Sequence, residues 1–299
     1  MSRLLDRLPR GAKVAIIRLR SLGDCVLTTP AVHLLKSYRP DLRIGIVVED
    51  RFAPLFEGNP DLEAIFPPRL STLASWRPKL VVNLHGGTRS IWLTFLSAAG
   101  FRAGFQHFRF RSVYNVPLPR AQEIFGEERP VHTAEHLASA MFYLGVPQTK
   151  IPRARLFARP MPSNGPYAVI HPVASAPEKA WPAEGFLEAA AHLRGLEPVF
   201  IGGPGDDLSA FRKFRTLTPS LSETMSLLQG ASFFLGNDSG PAHIAAAFGV
   251  PLVAIFGPSD ATTWAPWRTH AEVVDGRGSM AGVSVEAVLA AIDRLEPGR

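Results

Sequence analysis

Residues 233–260 read FFLGNDSGPAHIAAAFGVPLVAIFGPSD, two short apolar runs separated by small residues and turns. The first run, 233–236, predicts a strand, the residues from about Gly240 to Phe248 predict a helix, and 252–256 predict a second strand. Runs that are apolar throughout are typical of parallel strands that are buried on both faces and covered by helices. This stretch therefore predicts a strand–helix–strand unit of an α/β domain.

The same alternation extends through both halves of the chain. Between them, Val146 to Pro166 holds five prolines and no sustained period, which we interpret as an interdomain linker. The other predicted strands lie at 14–19, 43–48, 62–66, 80–84, 167–171, 198–202 and 272–274. The other predicted helices lie near 24–38, 51–57, 88–99, 183–194, 206–215 and 284–295.

We therefore predict the fold class α/β, with two doubly wound domains of similar size, 1–158 and 159–299. Such sheets bind ligands at the carboxyl ends of their strands, so we expect the site in the cleft between the domains. The pattern leaves open whether the terminal helix, 284–295, packs back on the N-terminal domain.

The composition is that of a globular protein: 46% of the 299 residues are hydrophobic and 19% are charged, which excludes disorder, collagen and coiled coil. The single cysteine, Cys25, excludes a disulfide framework or a cysteine-built metal centre and fits a reducing compartment. The N-terminus has no signal-peptide pattern, and glycines and prolines break the longest uncharged run, 239–259. We expect a soluble cytoplasmic protein.

The charge is distributed unevenly. Residues 1–158 hold 22 Lys and Arg against 12 Asp and Glu, a balance of +10, whereas 159–299 hold 10 against 14, a balance of −4. Such an asymmetry suggests that the two halves meet different partners. A basic face attracts nucleic acid, an anionic membrane or a phosphorylated substrate.

Asp24 is the first candidate for chemistry, because it follows the first predicted strand in the turn RSLGDC. It is either a helix cap or a carboxylate available as a general base, and its position does not decide between the two. The turn contains neither G-x-G-x-x-G nor G-x-x-x-x-G-K-[ST], which argues against a simple dehydrogenase and a P-loop kinase.

Two loops of the second half carry further candidates. HPVASAPEKAWP, 171–182, places Ser175 and Lys179 after a strand, where a lysine either meets a phosphate or is simply solvated. GGPGDD, 202–207, has glycines that let a ligand approach the backbone closely. We single out Gly203 and Asp206 there, since Asp206, like Asp207 beside it, either caps a helix or accepts a ribose hydroxyl.

The segment NDSGPAH is the most informative one. Asp238 and Ser239 precede a helix whose first turn holds Gly240 and Pro241, and a helix start with free amides is an anion site for a diphosphate. His243 follows on the same helical face, where we weigh a ligand contact above a purely structural role.

Metal sites find little support in the sequence. His132 and His136 have ligand spacing, but HTAEH is not H-E-x-x-H and no third ligand is evident, so we expect helix surface; no D-x-D occurs. FRAGFQHFRFR, 101–111, interleaves aromatics and arginines in a way that suits nucleic acid, although one strand with alternating faces explains it as well.

Taken together, these segments resemble the bacterial lipopolysaccharide heptosyltransferases, glycosyltransferase family nine. The resemblance rests on IIRLRSLGDCVLTTPAVHLLK, SAPEKAWPAEGF and VFIGGPGD, and above all on GNDSGPAHIAAAFGVPLVAIFGPSDATTWAPW, in order across most of 14–267. It implies two Rossmann-like domains of the GT-B type, with the acceptor on the first and a nucleotide-diphosphate sugar, typically ADP-heptose, on the second. On that pattern Asp24 matches the base, Lys179 a donor-phosphate ligand, and Ser239, Gly240 and Pro241 the diphosphate-binding helix start behind Asp238.

We expect an inverting transfer without metal or other cofactor, because no D-x-D occurs and Lys179 with the helix start can meet the leaving group. From the charge split we expect an anionic glycolipid acceptor at the inner membrane surface rather than nucleic acid. The arginines that we expect to meet this acceptor are Arg18, Arg20, Arg102, Arg109 and Arg111. A cytoplasmic enzyme with a peripheral position at the inner face of the membrane would fit. A sugar-nucleotide epimerase of the same build and a non-catalytic nucleotide-sugar-binding protein remain as alternatives.

Overall fold

The protein is described by a computed structural model that covers residues 3–295. The chain divides into two compact units, the first ending at Phe157 and the second beginning at Ala158. Each unit holds one six-stranded sheet.

The first unit is built on a parallel sheet with the strand order β3-β2-β1-β4-β5-β6. Its strands are β1 Lys13–Ile17, β2 Arg43–Val47, β3 Ala64–Phe66, β4 Leu80–Asn83, β5 Phe101–Phe105 and β6 Val116–Leu118. Its α-helices are α1 Leu22–Tyr38, α2 Leu70–Trp76, α3 Thr88–Leu96, α4 Ala121–Phe125 and α5 Thr133–Leu144. Short 3₁₀ helices cover Leu4–Arg7, Asp50–Phe56 and Arg111–Val113.

The second unit repeats this plan with the strand order β12-β11-β10-β7-β8-β9, again parallel. Its strands are β7 Tyr167–His171, β8 Glu197–Ile201, β9 Arg215–Leu217, β10 Phe233–Asn237, β11 Leu252–Phe256 and β12 Ala271–Asp275. Its α-helices are α6 Ala183–His192, α7 Leu221–Gly230, α8 Gly240–Phe248, α9 Ala261–Trp264 and α10 Val285–Leu295. Short 3₁₀ helices cover Pro177–Lys179, Ser209–Phe211 and Met280–Gly282.

The central strands are buried on both faces, as their continuous apolar runs predict. All four described side chains of β1 after Lys13 are fully buried, and β11 is buried from Leu252 to Phe256. In the second unit, α10 packs on β11, β12 and α6, and its inner side chains belong to the same apolar core as Trp181 and Phe186.

The proline-rich segment 146–166 has no helix or strand, as the sequence predicts. Its first half nevertheless packs on the first unit. Arg155 makes an ion pair of 3.1 Å with Asp61, and its backbone N–H donates to Thr29 Oγ1 at 2.9 Å. The segment is thus anchored on the first unit by a residue close to the point where the second unit begins.

One predicted helix is wrong. Residues 206–215 form a single 3₁₀ turn, Ser209–Phe211, and then enter strand β9. Asp206 and Asp207 explain the difference, because their carboxylates accept backbone N–H groups of Gly203 and Ser209, at 2.7 and 2.8 Å. Such local side-chain bonds compete with a helix.

Candidate functional site

Each sheet has one topological switch point, the place where ligands of open α/β sheets bind. In the first unit the strand order reverses between β1 and β4, and in the second between β7 and β10. The candidate residues Asp24 and Ser239 follow β1 and β10 respectively. Both therefore lie at the carboxyl edge of their sheet, beside its switch point.

Asp24 occupies the third position of α1, and it takes part in a capping box with Ser21. Its Oδ2 accepts the backbone N–H of Ser21 at 3.3 Å and the Ser21 hydroxyl at 3.1 Å. This bond satisfies a helix-end donor and fixes the carboxylate. Asp24 therefore does cap the helix, and its side chain remains 19% exposed at the sheet edge.

Arg18 holds the other oxygen of Asp24. Its Nη2 lies 3.2 Å from Asp24 Oδ1, and its Nε donates to Thr28 Oγ1 at 3.4 Å. Arg18 is only 8% exposed, so burial lowers its pKa, and the Asp24 carboxylate opposes that change. Arg18 is therefore a buried partner of Asp24, whereas the sequence placed it among arginines for the acceptor.

His85 is a residue of this edge that the sequence reasoning missed. It follows β4, on the other side of the switch point, and its backbone N–H donates to the side chain of Asn83 at 3.0 Å. Burial lowers the pKa of His85, the nearby Arg18 and Arg20 lower it further, and Asp24 raises it. The sequence signal was a histidine and two glycines, HGG, directly after a buried strand.

The histidines of HTAEH are not helix surface, so that expectation is wrong. His132 is buried at the start of α5, where its ring accepts the N–H of Ala134 at 3.0 Å. His136 is partly buried and stacks on Phe105 with ring centroids 4.1 Å apart. Burial lowers the pKa of His136 to about 4, and His107 and Arg18 add to this effect.

The segment 101–111 is not one strand, because β5 ends at Phe105 and turns follow. Arg102 donates from Nε to the carbonyl of Val113 and from Nη1 to that of Ala99, at 3.0 and 2.9 Å. Those bonds give Arg102 a structural role in the fold. Arg20, Arg109 and Arg111 are exposed.

In the second unit, Asn237 at the end of β10 anchors the loop that carries Lys179. Its Oδ1 accepts the backbone N–H of Trp181 at 3.1 Å, and its Nδ2 donates to the carbonyl of Pro172 at 2.9 Å. Trp181 is itself buried and donates from Nε1 to Val283 O at 3.1 Å. Both ends of the loop are therefore fixed at the end of β10.

Lys179 ends the short 3₁₀ helix of this anchored loop and is partly exposed, while Ser175 is exposed. Within residues 3–295, no hydrogen bond or ion pair to the Lys179 ammonium is formed. A cation held by its loop and left without a carboxylate is available to an anionic ligand. Asn237, which fixes the loop, was not singled out from the sequence.

Ser239 is the N-cap of α8, but its hydroxyl does not cap the helix. Instead Ser239 Oγ shares a hydrogen bond of 3.1 Å with Nδ1 of His171, the last residue of β7. Burial lowers the pKa of His171 to about 4, so the ring is neutral at pH 7. The bond crosses the switch point and holds Ser239 at the helix start.

Gly240 and Pro241 begin α8 as the sequence predicts, with Pro241 in the first turn. Asp238 is partly exposed, and its backbone N–H donates to Ile255 O at 2.9 Å. His243 is 5% exposed and faces the interior of the unit. The helix start thus offers backbone dipoles and a serine rather than charged side chains.

The glycine loop after β8 is closed by Asp206. Its Oδ2 accepts the N–H of Gly203 at 2.7 Å, and its own N–H donates to the carbonyl of Gly203 at 3.1 Å. Asp207 serves Ser209 in the same way. Both carboxylates therefore stabilise the loop itself, and neither caps an α-helix as the sequence had suggested, because no α-helix follows.

Among residues 3–295, no three His, Cys, Asp or Glu side chains come together as a metal site would require. None of the helices in this part of the chain is long and apolar enough to cross a membrane.

Two doubly wound units, one of them with a helix start suited to an anion, place the chain among the two-domain proteins of the Rossmann-like class. The sequence profile of glycosyltransferase family 9 (heptosyltransferase) matches residues 72–286. Lipopolysaccharide heptosyltransferase 3 of Escherichia coli is 27% identical over 294 residues, covering 84% of this chain and 85% of that protein.

Solved structures agree in fold. A family 9 glycosyl transferase from Veillonella parvula superimposes with a TM-score of 0.84 at 22% identity, over 95% of this chain and 97% of that one. The E. coli heptosyltransferase WaaC, solved with ADP, gives a TM-score of 0.77 at 20% identity, over 95% and 99% of the two chains. The chain belongs to glycosyltransferase family 9, the heptosyltransferases. Membership confirms the predicted enzyme class, and the structural likeness confirms the GT-B fold class.

Proposed function

We propose that the protein transfers heptose from ADP-heptose to a hydroxyl of a lipopolysaccharide core, with inversion at the anomeric carbon. The names of its relatives support this, since the E. coli protein at 27% identity is a lipopolysaccharide heptosyltransferase. The structural relatives include WaaC solved with ADP and with ADP-2-deoxy-2-fluoro heptose. The donor would bind the second unit and the acceptor the first.

The observation that carries the proposal is the arrangement around Ser239. The hydroxyl of Ser239 is turned to His171 instead of capping α8, and the neighbouring loop holds Lys179 without an ion-pair partner in the described chain. A helix start and a fixed lysine are complementary to a diphosphate. They would stabilise the negative charge that develops when the nucleoside diphosphate leaves.

Ser175, Gly203, Asp206, Asp238 and His243 are further donor-site candidates. Of these, Gly203 and Asp206 shape the glycine loop at the end of β8, and His243 lies within α8. These residues would shape the donor site and contact the nucleoside, whereas Lys179 and the start of α8 would meet the charge of the diphosphate.

Asp24 is the proposed base. The acceptor hydroxyl oxygen forms its bond to the anomeric carbon as the bond from that carbon to the diphosphate oxygen breaks. The hydroxyl proton passes to the Asp24 carboxylate, and the electron pair of the broken bond leaves with ADP. General-base help of this kind is worth ~10²–10⁴ in rate.

Arg18 would position Asp24. Since Arg18 occupies Oδ1 and Ser21 occupies part of Oδ2, the carboxylate has one orientation and its remaining lone pairs are left for a proton. A base that is already held in its reactive orientation loses little conformational entropy when the transition state forms.

A basic first unit fits an acceptor that carries acidic sugars and phosphates. Its balance of +10 contrasts with −4 in the second half. Arg20, Arg109 and Arg111 are exposed and available to such a ligand. The enzyme would work as a peripheral protein at the inner face of the cytoplasmic membrane, where this acceptor is presented.

The transfer would not need a metal ion. No D-x-D is present in the sequence, and Lys179 with the start of α8 supplies positive charge where Mg²⁺ would otherwise act. Activity in the presence of a chelator tests this assignment.

The decisive experiment incubates the purified protein with ADP-heptose and a delipidated heptose-deficient core, and measures the product by mass spectrometry. The expected product is heavier than the acceptor by one heptose residue and appears together with ADP. Consumption of the donor without any acceptor would point instead to an epimerase, and binding of ADP without turnover to a non-catalytic protein.

A further inference from the structure

Helix α3 buries Ile91 and Leu93 but carries its three other large apolar side chains on the solvent side. Trp92, Phe95 and Leu96 are 58%, 51% and 45% exposed, and their spacing places them on one face of the helix. The rings of Trp92 and Phe95 pack edge to face, with centroids 6.1 Å apart. A surface helix of a globular protein normally presents polar side chains to solvent and packs its apolar side chains against the core.

The buried face of α3 includes hydroxyl side chains. Ser90 and Thr94 are fully buried, and the Asn83 amide donates to their oxygens at 3.2 and 3.0 Å. These bonds fix the rotation of the helix about its axis. The outward position of Trp92 and Phe95 is therefore built into the fold.

Two neighbouring elements enlarge this apolar area. Both α2 and the 3₁₀ helix Arg111–Val113 pack against α3. Leu70 begins α2 and Phe110 directly precedes that 3₁₀ helix, and the two side chains are 37% and 58% exposed. We call the group the α3 surface; its apolar members are Leu70, Trp92, Phe95, Leu96 and Phe110. Exposed apolar groups that cluster in this way mark interaction sites.

Arginines accompany the apolar members. The exposed basic members of the α3 surface are Arg69, Arg89, Arg109 and Arg111. The whole stretch 64–122, which supplies this surface, holds eight Lys and Arg residues and not one Asp or Glu. An apolar centre with arginines around it is complementary to a bilayer whose headgroups are anionic.

We propose that the α3 surface docks the protein on an anionic lipid bilayer. Trp92 and Phe95 would enter the headgroup boundary, where amphipathic aromatic rings are favoured, while the arginines meet lipid phosphates. A second copy of the chain fits less well, because a twofold interface through this surface would set its arginines against one another. The inference rests on the proposed function, which requires the enzyme to meet a lipid-linked acceptor.

Co-sedimentation with vesicles tests the docking without any substrate. The probes are vesicles of phosphatidylcholine alone and vesicles with about one third phosphatidylglycerol. We expect binding to the anionic vesicles, and a loss of at least about tenfold in the Trp92→Ser and Phe95→Ser double variant. The Arg69→Gln and Arg89→Gln double variant should lose about fivefold for each arginine at low salt.

Matched controls lie on the second unit. Val273→Ser changes an exposed apolar side chain, and Arg212→Gln with Lys213→Gln changes two exposed cations; all should bind vesicles like the parent. Circular dichroism and urea unfolding check that each variant is folded. Trp92 and Phe95 are both exposed, so their replacement should leave the fold intact.

The docking proposal would be overturned if the parent protein did not bind anionic vesicles, or if the Trp92→Ser and Phe95→Ser variant bound them as well as the parent. It would also be overturned if the parent formed a dimer that this variant abolishes and neither protein bound vesicles. Transfer to a delipidated acceptor separates the two proposals. The variant should keep that activity, since its effect is on the membrane. Vesicle binding by a parent that lacks transferase activity would reject the proposed function alone.

Discussion

The Arg18 guanidinium lies 3.2 Å from the Asp24 carboxylate, at the point where β1 gives way to α1. Arg18 is almost wholly buried, while Asp24 retains 19% of its exposure. The pair therefore fixes a carboxylate that a substrate can still reach. This geometry lets the base and the cap be the same residue, so the two roles have to be separated by experiment.

Replacing Asp24 with Asn separates them. The amide oxygen can still accept the N–H of Ser21, so the helix cap is largely kept, while the proton acceptor is lost. We expect turnover to fall by ~10²-fold or more. Initial rates of ADP release at saturating substrates measure this. ADP affinity, which depends on the second unit, should hardly change.

Asp41→Asn is the control for this variant. Asp41 pairs with Arg39 at 2.7 Å in the same unit, just before β2 and so at the amino edge of the sheet. It reports what the loss of an arginine–aspartate pair does through stability alone. Turnover in Asp24→Asn close to that of Asp41→Asn would return Asp24 to a purely structural role.

Lys179→Ala should weaken the binding of ADP more than that of adenosine. The variant removes the ammonium group that would bond to the phosphates of ADP, and hydrogen bonds to charged groups are worth about 1.5–3 kcal/mol. Isothermal titration calorimetry with both ligands gives the comparison. Lys213, which is exposed and lies over the ring of Phe214, provides the control Lys213→Ala. An equal loss for ADP and adenosine would place Lys179 away from the diphosphate.

Transferase activity should survive excess EDTA. Lys179 and the start of α8 offer fixed positive charge to the leaving diphosphate, which is the work that Mg²⁺ does in metal-dependent transferases. Product formation is measured after dialysis against chelator, with and without added Mg²⁺. Loss of activity in EDTA and its return with Mg²⁺ would contradict the proposed mechanism.

The sequence is sufficient for the parts of the fold that depend on local pattern. The buried strands and the helices at Asp24 and Gly240 follow from apolar runs and from glycine and proline positions. The helix expected near 206–215 fails because Asp206 and Asp207 bond to nearby backbone N–H groups, a competition that periodicity does not reveal.

The site is predictable only where it lies in one segment. Ser239 and Gly240 belong to a single strand-to-helix junction, so the sequence identifies them. His171, Asn237 and His85 acquire their roles from the order of the strands, which brings β7 beside β10 and β4 beside β1. A pattern along one chain does not contain that order.

The stability of the protein should fall as the pH drops from about 6.5 towards about 4, in part because of His136. Burial against Phe105 lowers its pKa from 6.5 to about 4, so in this window the unfolded chain binds a proton that the folded one does not. The free energy of unfolding therefore rises with pH, by about 3 kcal/mol for this group. Urea unfolding at several pH values measures the slope.

His136→Gln should flatten that slope, whatever it does to stability at pH 7. Burial lowers the pKa of His171 in the second unit to about 4 as well, so His171→Asn should flatten the slope in the same way. An unchanged slope in His136→Gln would mean that other groups dominate the acid sensitivity.

The affinity for the acceptor should depend on salt, because the first half of the chain carries a balance of +10 against −4 in the second. Exposed charges of opposite sign attract one another over about 10 Å at 0.1 M salt, and this distance shortens as the salt concentration is raised. Arg109 and Arg111 are exposed, unlike Arg18, which is paired, and Arg102, which binds backbone carbonyls. The double variant Arg109→Gln and Arg111→Gln should therefore raise the acceptor KM at low salt and flatten its salt dependence. Arg102→Gln should act on stability instead.

Measuring KM with a delipidated acceptor and saturating donor keeps the membrane out of the comparison. A KM that does not change with salt would mean that the basic half serves solubility rather than acceptor binding.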